Sequence, residues 1–329
     1  MTETPDAVSE PPSAFSACHG VAAARNPFDP SLVSKETETF NQSLLETLSA
    51  LADPWASPPH IIRKARAEGK GPFPLEPKLE AAQWIEKDGV RLRVIAPDVG
   101  EPRGVFLHIH GGGWMYGQAD FQDPMLARFA NATGFLCASV AYRLAPEHPF
   151  PAAPDDCMTA ALWAFSKGLP VVLGGESAGA NLAVLTALGL RERRLDAAGL
   201  VLLAGCFDLS LTPSARSWGS DKLVLNTRDI SLFAANYVPA FIEPRSPAVS
   251  PLYASLEGLP PCFISVGTAD PLLDDSLFLH SRLCAAGVRS ELAVAPGGCH
   301  VFHVYDLQIS REAETATHAF IDTLVDTTP

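Results

Sequence analysis

The sequence predicts an α/β fold built on a mostly parallel, doubly wound sheet of eight strands, with helices on both faces. Three observations carry that prediction. From residue 82 onward, short β-rich runs alternate with stretches of helical period, the pattern of successive βα units. Several of those runs are apolar without interruption, Val105-Phe106-Leu107 and Val171-Val172-Leu173 among them, as strands covered on both faces require. Two further strand-like runs flank Asp88-Gly89, a dipeptide that favours a tight hairpin.

Along the chain, the first 80 residues hold little strand character. The opening segment, to about residue 30, is acidic and proline-rich with few large apolar side chains, which predicts a mobile arm. It lacks the basic and apolar pattern of an export leader. Phe40, Leu44, Leu45, Leu48 and Leu51 fall at helical spacing over residues 37–51, and Asp53-Pro54 forbids continuation. A second helix is expected over 60–68, ending at Gly69. Strands are expected over 82–87, 91–96, 104–110, 134–141, 170–174, 199–204, 261–267 and 290–295. Helices are expected between them over 124–132, 155–167, 178–194, 274–286 and 310–325. From Gly205 to Pro260 only a loop and one helix over 227–237 are expected. An insertion there would lie at the C-terminal edge of the sheet, where a lid over a site belongs. The expected organisation is an N-terminal arm with cap helices over 1–80, then a sheet domain over 81–329 that carries a cap insertion at about 206–258.

The 329 residues include 24 Lys+Arg and 37 Asp+Glu, a formal net charge of −13, and no basic cluster. That balance excludes a nucleic-acid backbone as a partner and argues against an anionic membrane surface. The longest apolar run, near 197–206, is about half of what a membrane span needs, so no stable membrane insertion is expected. Seven cysteines form no C-x-x-C pair, and their odd number excludes a complete intramolecular disulfide framework. These features point to a cytoplasmic protein.

Two glycine motifs carry the chemistry. Gly175-Glu176-Ser177-Ala178-Gly179 follows one apolar strand and precedes a helix. A strand-to-helix turn this tight strains the serine backbone and presents its hydroxyl at the sheet edge. The helix dipole favours a negative intermediate at that point. By composition the pattern arises by chance in roughly one chain in eight, so its context matters more than its letters. His110-Gly111-Gly112-Gly113-Trp114 directly follows another strand. Three successive glycines cost chain entropy, and side-chain-free amides can aim N–H groups at a developing oxyanion. His110 reads as a structural residue that orients this loop.

A serine nucleophile needs a base, and the base needs an orienting carboxylate. Asp270 lies in the loop after the 261–267 strand, with Asp208 as a reserve and Asp274 and Asp275 read as residues complementing the next helix dipole. Among the later histidines, His300 follows Pro296-Gly297-Gly298-Cys299 after the last strand, and its loop glycines favour it over His303. His280 and His318 fall inside expected helices. His108 and His110 share a strand face as a metal pair would, without an evident third ligand.

The blocks His110–Gly113, Tyr142–Ala153, Gly175–Gly179, Asp270-Pro271-Leu272 and Pro296–His300 resemble, in order, those of bacterial esterases of the hormone-sensitive-lipase-like family. These are α/β-hydrolases also called family IV. The resemblance runs from about Val90 to the C-terminus and only loosely covers the first 80 residues. It implies an α/β-hydrolase fold with a helical cap and a serine carboxylesterase acting on short- to medium-chain esters through an acyl-enzyme. It implies Ser177 as nucleophile, His300 as general base and acid, Asp270 as its orienting partner, and an oxyanion hole from the N–H groups of Gly112, Gly113 and Ala178. The Tyr142–Ala153 block is usually structural in such proteins. No metal and no organic cofactor is expected. Two departures stand out: Glu176 where Asp is common, and Val301 where Gly usually follows the histidine. Trp114, Leu223, Phe233 and Phe302 are the expected pocket apolars. The same machinery could serve a lactone, an arylformamide or an acetylated sugar, because fold does not fix substrate. A non-catalytic ligand receptor is the reading from another class, opposed by the survival of Ser177, Asp270 and His300. A metallohydrolase on His108, His110 and His303 is a third. An open edge strand over 290–295 would allow a homodimer.

Overall fold

The computed structural model describes residues 26–325. Most of the expected N-terminal arm, with Cys18, falls outside that range.

Two helices precede the sheet. Ser34 caps α1 (Lys35–Ala50), its Oγ accepting the Thr37 N–H at 3.1 Å, which satisfies one orphan donor of the first turn. α1 turns Leu44 and Leu48 inward and leaves Leu45 and Leu51 exposed. Prolines start α2 (Pro59–Ala67), where the missing N–H costs nothing.

The remaining elements follow in chain order: β1 (Gln83–Lys87), β2 (Val90–Ile95), β3 (Gly104–Ile109), α3 (Asp123–Thr133), β4 (Phe135–Ala141), α4 (Ala152–Phe165), β5 (Val171–Glu176), α5 (Ala178–Glu192), β6 (Gly199–Leu203), α6 (Pro213–Ser217), α7 (Thr227–Tyr237), β7 (Cys262–Ala269), α8 (Leu273–Ala285), β8 (Ser290–Cys299) and α9 (Gln308–Val325). All eight expected strands form one sheet, in the order β1-β2-β4-β3-β5-β6-β7-β8. β2 runs antiparallel to both β1 and β4, and from β4 across to β8 every neighbouring pair is parallel. Alternation along β3 divides the core. Val105, Leu107 and Ile109 pack with residues of α4, α5 and α8 on one face, while Phe106 packs with Leu126, Phe129, Phe320 and Ile321 of α3 and α9 on the other. Both faces are therefore covered, as the apolar runs required.

Two differences from the sequence reading bear on the site. β8 runs four residues beyond Ala295, through the glycines read as a loop. Gly267 makes that possible: a Cβ there would lie 1.9 Å from Gly298 O, so only glycine lets the two chains close up. The register shifts between Gly267 and Ala269, and pairing resumes at Ala269 with Cys299, a β-bulge that re-aims Asp270 and His300 just beyond it. The insertion after β6 holds α6 as well as the expected α7. At five residues, α6 is too short to leave a period in the sequence.

Candidate active site

Ser177, Asp270 and His300 each stand immediately beyond the C-terminal region of a parallel strand: β5, β7 and β8. The bulge sets Asp270 and His300 side by side. His300 Nδ1 lies 2.9 Å from Asp270 Oδ2 and 3.1 Å from Oδ1, and Nε2 lies 3.0 Å from Ser177 Oγ. All three side chains are buried. Asp270 Oδ1 also accepts the Leu272 N–H at 2.9 Å, which fixes the carboxylate in its own turn. With the carboxylate accepting, Nδ1 carries the proton and Nε2 is free to accept the serine proton, the assignment this network dictates.

Ser177 has φ 56° and ψ −119°, a strained backbone for a residue with a side chain. The strain is locked in from both sides. A Cβ at Gly175 would lie 2.1 Å from Ile109 O, and one at Gly179 would lie 1.8 Å from the same oxygen. Neither glycine tolerates a methyl group, so the turn packs directly on the end of β3. Just beyond that end comes the triple-glycine loop. Gly112 O accepts the N–H groups of Met115 and Tyr116 and folds the loop back. The N–H groups of Gly112, Gly113 and Ala178 donate to no protein acceptor among the described residues, and Gly112 and Gly113 face the same cavity as Ser177 and His300.

Glu176 connects the two glycine motifs. Its Oε1 accepts the Gly111 N–H at 2.6 Å and the Gln122 side-chain amide at 3.1 Å. Its Oε2 lies 3.0 Å from His108 Nε2, and His108 Nδ1 lies 2.9 Å from Ser139 Oγ. Burial alone would raise the Glu176 pKa. The His108 ring and the donated hydrogen bonds outweigh it and hold the carboxyl below its ordinary value. In the sequence Glu176 stands out only as a departure, and its link to the glycine loop is visible only in three dimensions. His110 is structural, as read: Nδ1 donates to Gly111 O at 2.8 Å, the ring stacks on Tyr142 at 4.2 Å, and Tyr142 Oη donates to His110 O at 2.9 Å. Burial pushes the His110 pKa down to about 4. The Tyr142–Ala153 block thus braces the loop from below.

The other acids and histidines serve elsewhere. Asp208 accepts from Ser210 and Tyr253 and makes no bond to His300, so it is not the orienting carboxylate. Asp275 is more than a dipole partner. It is fully buried and accepts the Phe207 N–H, the Asp208 N–H and the Thr212 hydroxyl at 2.6–2.8 Å, bracing the loop after β6. Burial pushes its pKa up to about 7. Asp274 likewise accepts the Ser214 N–H at 2.7 Å. His303 Nε2 lies 2.8 Å from Ser265 Oγ, away from the serine. With His108 and His303 so engaged, the three-histidine metal arrangement is not formed. Among the described residues, no group of three or more His, Cys, Asp or Glu could hold a metal ion.

Above Ser177 lies a cavity of about 820 Å³, walled by α1, α2, the glycine loop and the insertion around α7. Of the expected pocket residues, Trp114 and Phe233 line it. Trp114 stacks on Tyr237 at 4.6 Å, and the Phe233 ring occupies the space a Gly113 side chain would need. Leu223 and Phe302 do not line it. Both join a satellite cluster with Leu44, Leu48 and Val224, and Phe302 is wholly buried. Their neighbours take the expected places: Lys222, Val224 and Leu225 for Leu223, and Val301, at φ 53°, for Phe302. Packing against Leu44 and Leu48 of α1 draws Leu223 and Phe302 into that cluster. Sequence reading also missed the α2 residues Ile62 and Arg66 and the loop residue Phe73.

Comparison with known proteins agrees with this geometry. Residues 106–304, more than half of the chain, match the family described as alpha/beta hydrolase fold. An esterase of Acinetobacter venetianus is 30% identical over 272 residues, 81% of this chain and 89% of that one. The carboxylesterase NlhH of Mycobacterium tuberculosis is 33% identical over 273 residues, 77% of this chain and 85% of that one. A hormone-sensitive lipase from a metagenome library superimposes with a TM-score of 0.80 at 29% identity, over 89% of this chain and 99% of that one. The chain belongs to the α/β-hydrolase fold family and, within it, to the esterases of the hormone-sensitive-lipase group.

Proposed function

We propose that the protein is a serine carboxylesterase that hydrolyses short- to medium-chain carboxylic esters through an acyl-enzyme. One observation carries the reading: the unbroken line from Asp270 through His300 to Ser177, at 2.9 and 3.0 Å, opening on a cavity with unpaired backbone N–H groups at its floor. Ser177 Oγ attacks the ester carbonyl carbon as His300 Nε2 takes its proton. The carbonyl electron pair moves onto oxygen, where the N–H groups of Gly112, Gly113 and Ala178 stabilise it. Such preorganised donors contribute about 3–4 kcal/mol each to the transition state. Collapse expels the alcohol, protonated by His300. A water molecule then gives its proton to His300 and attacks the acyl carbon, and collapse returns that proton to Ser177 and releases the acid. Asp270 holds the imidazole in the required tautomer and stabilises its charged form.

The helices before the sheet and the insertion at about 206–258 act as the cap over this site, since residues of both wall the cavity. No helix among the described residues is long and apolar enough to cross a membrane. The buried free thiols of Cys137, Cys157, Cys206, Cys262 and Cys299 suit the reducing cytoplasm. The outer edge of β8, half-buried over Glu291–Pro296, is where a second copy would add in a homodimer. The test is Ser177→Ala, assayed on 4-nitrophenyl esters of increasing chain length. Turnover should fall by about 10⁴-fold or more with the thermal unfolding midpoint held. Retained turnover would overturn the mechanism.

A further inference from the structure

Among the described residues, one cation lining the cavity has no acceptor. Five Lys and Arg side chains line it, and four have acidic partners: Lys70 with Glu68 at 2.8 Å, Lys222 with Asp229 at 3.3 Å, Arg228 with Asp53 at 2.8 Å and Arg128 with Glu314 at 4.0 Å. Arg66 has none. Among the described residues its guanidinium makes no hydrogen bond, and no carboxylate lies within the 4.0 Å of an ion pair. One face of the group rests on the Tyr116 ring, with Cζ 4.2 Å from the centroid. Tyr116 is itself wholly buried and meets Phe233 edge-on at 5.7 Å. The other side of Arg66 faces the cavity.

The placement is built. Three residues earlier on α2, Arg63 donates to Met115 O at 2.8 Å, to Ala145 O at 2.7 Å and to both Glu147 oxygens at 2.9 and 2.7 Å. Residues three apart share a helix face, so the Arg63 anchor fixes where Arg66 points. The Arg66 stem lies against Gly71, where a Cβ would come within 3.1 Å of its Cγ. Stacking on an aromatic ring stabilises a guanidinium but satisfies none of its five N–H donors. Asp229, whose charge Arg66 feels, already accepts the Trp55 indole N–H at 2.6 Å and pairs with Lys222. Glu76 and Asp221 also line the cavity and are not paired with Arg66. Lost hydration lowers the Arg66 pKa to about 10, which leaves it cationic at neutral pH.

A planar fork of donors, held rigid and open to a substrate cavity, matches a carboxylate in bidentate geometry. We infer that the preferred substrates are esters bearing a second, free carboxylate, which Arg66 binds while Ser177 attacks the ester bond. The inference rests on the esterase reading and narrows it to a substrate class.

The experiment compares matched ester pairs. In one series the carboxylate ends the acyl arm, as in mono-4-nitrophenyl adipate against 4-nitrophenyl hexanoate. In a second it sits on the alcohol arm, as in 4-carboxyphenyl hexanoate against phenyl hexanoate. The readout is the ratio of kcat/KM, anionic over neutral, within one protein, so general damage to the site cancels. The wild type should favour the anionic ester in at least one series, by about tenfold or more. Arg66→Gln should abolish that preference, and Arg66→Lys, which keeps the charge but loses the fork, should retain part of it. Should Arg66→Gln fail to fold, the wild-type ratio and Arg66→Lys still decide. Neutral esters turned over without anionic preference in either series, or a preference that survives in Arg66→Gln, would overturn the inference and leave the esterase reading standing. Failure to turn over any of the esters would overturn both.

Discussion

Removing the Glu176 carboxyl tests whether the Ser177 turn and the glycine loop act as one rigid unit. In Glu176→Ala the Gly111 N–H loses its acceptor at 2.6 Å, the Gln122 amide loses one at 3.1 Å, and His108 Nε2 loses its partner at 3.0 Å. A hydrogen bond to a charged group contributes about 1.5–3 kcal/mol. Bonds sharing one carboxylate are not additive, so a destabilisation of about 3–5 kcal/mol is expected. Gly111 adjoins Gly112, whose N–H is a proposed oxyanion donor. Freeing the loop should misplace that donor, and one lost donor costs about 3–4 kcal/mol in the transition state. Turnover should therefore fall by about 10²- to 10³-fold, with KM moving less than about threefold because the cavity walls stay in place. Glu176→Gln keeps the size and an oxygen for the Gly111 N–H, so most of kcat should survive. Steady-state kinetics on 4-nitrophenyl butyrate, paired with thermal unfolding of each variant, makes the measurement. Wild-type kcat in a folded Glu176→Ala protein would refute the reasoning, and a loss of stability alone would make Glu176 a folding residue with no bearing on the oxyanion.

The glycine loop and the buried histidines each yield a further test. Gly113→Ala places a Cβ 2.3 Å from the Phe233 ring at φ 61°, so kcat should fall at least about tenfold. Adding Phe233→Ala should recover part of that loss, and no recovery would assign the effect to backbone strain alone. Burial lowers His110 to about 4 and His303 to about 3, so the unfolded chain binds protons that the folded one refuses. Stability should therefore fall as pH drops from about 6.5 toward 4, by up to about 1.4 kcal/mol per pH unit for each ring. Asp275, raised to about 7, works in the opposite sense over the same range. His303→Gln should make the measured slope of unfolding free energy against pH shallower, and an unchanged slope would remove His303 from the account.

The proposed triad, which the structure brings together, is legible in the sequence because each residue sits where a local rule applies. Ser177 lies at a strand-to-helix turn that needs glycine on both sides, for reasons now visible in the contact of Gly175 and Gly179 with Ile109 O. Asp270 and His300 follow strand ends, and a parallel sheet gathers those ends on one edge. The glycine run after His110 suggests backbone meant for close approach rather than a flexible turn, and a Cβ at Gly112 or Gly113 would meet Tyr116 O or the Phe233 ring within 2.4 Å. Residues that depend on the packing of distant segments were not legible. Whether Leu223 or Val224 faces the cavity turns on how α1 lies across the insertion. That β8 continues through Pro296-Gly297-Gly298 turns on a missing side chain on the neighbouring strand, at Gly267. Asp275 looked like a helix-start acid because that is all its neighbours in sequence reveal.

The same distinction separates the proposed catalytic residues from the cavity walls along this chain. The proposed triad and the glycine loop are held by the sheet and by short loops at its strand ends. The cavity walls come from segments far away in sequence, yet they are tied to the catalytic loop at defined points. Arg63 binds Met115 O and Ala145 O, and Tyr237 O accepts the Phe150 N–H. Trp114 O in turn accepts the Ala145 N–H. Through these bonds α2 and α7 are fastened to the loop that carries Gly112 and Gly113. A change in the walls is thereby passed to the proposed oxyanion donors, and substitutions there should alter kcat as well as KM. Arg66 projects from the helix that Arg63 anchors, so a ligand pulling on its guanidinium loads the same fastening. Binding energy from the remote end of a substrate then has a short path to the reacting carbonyl, which is how such energy can lower a barrier rather than only tighten binding.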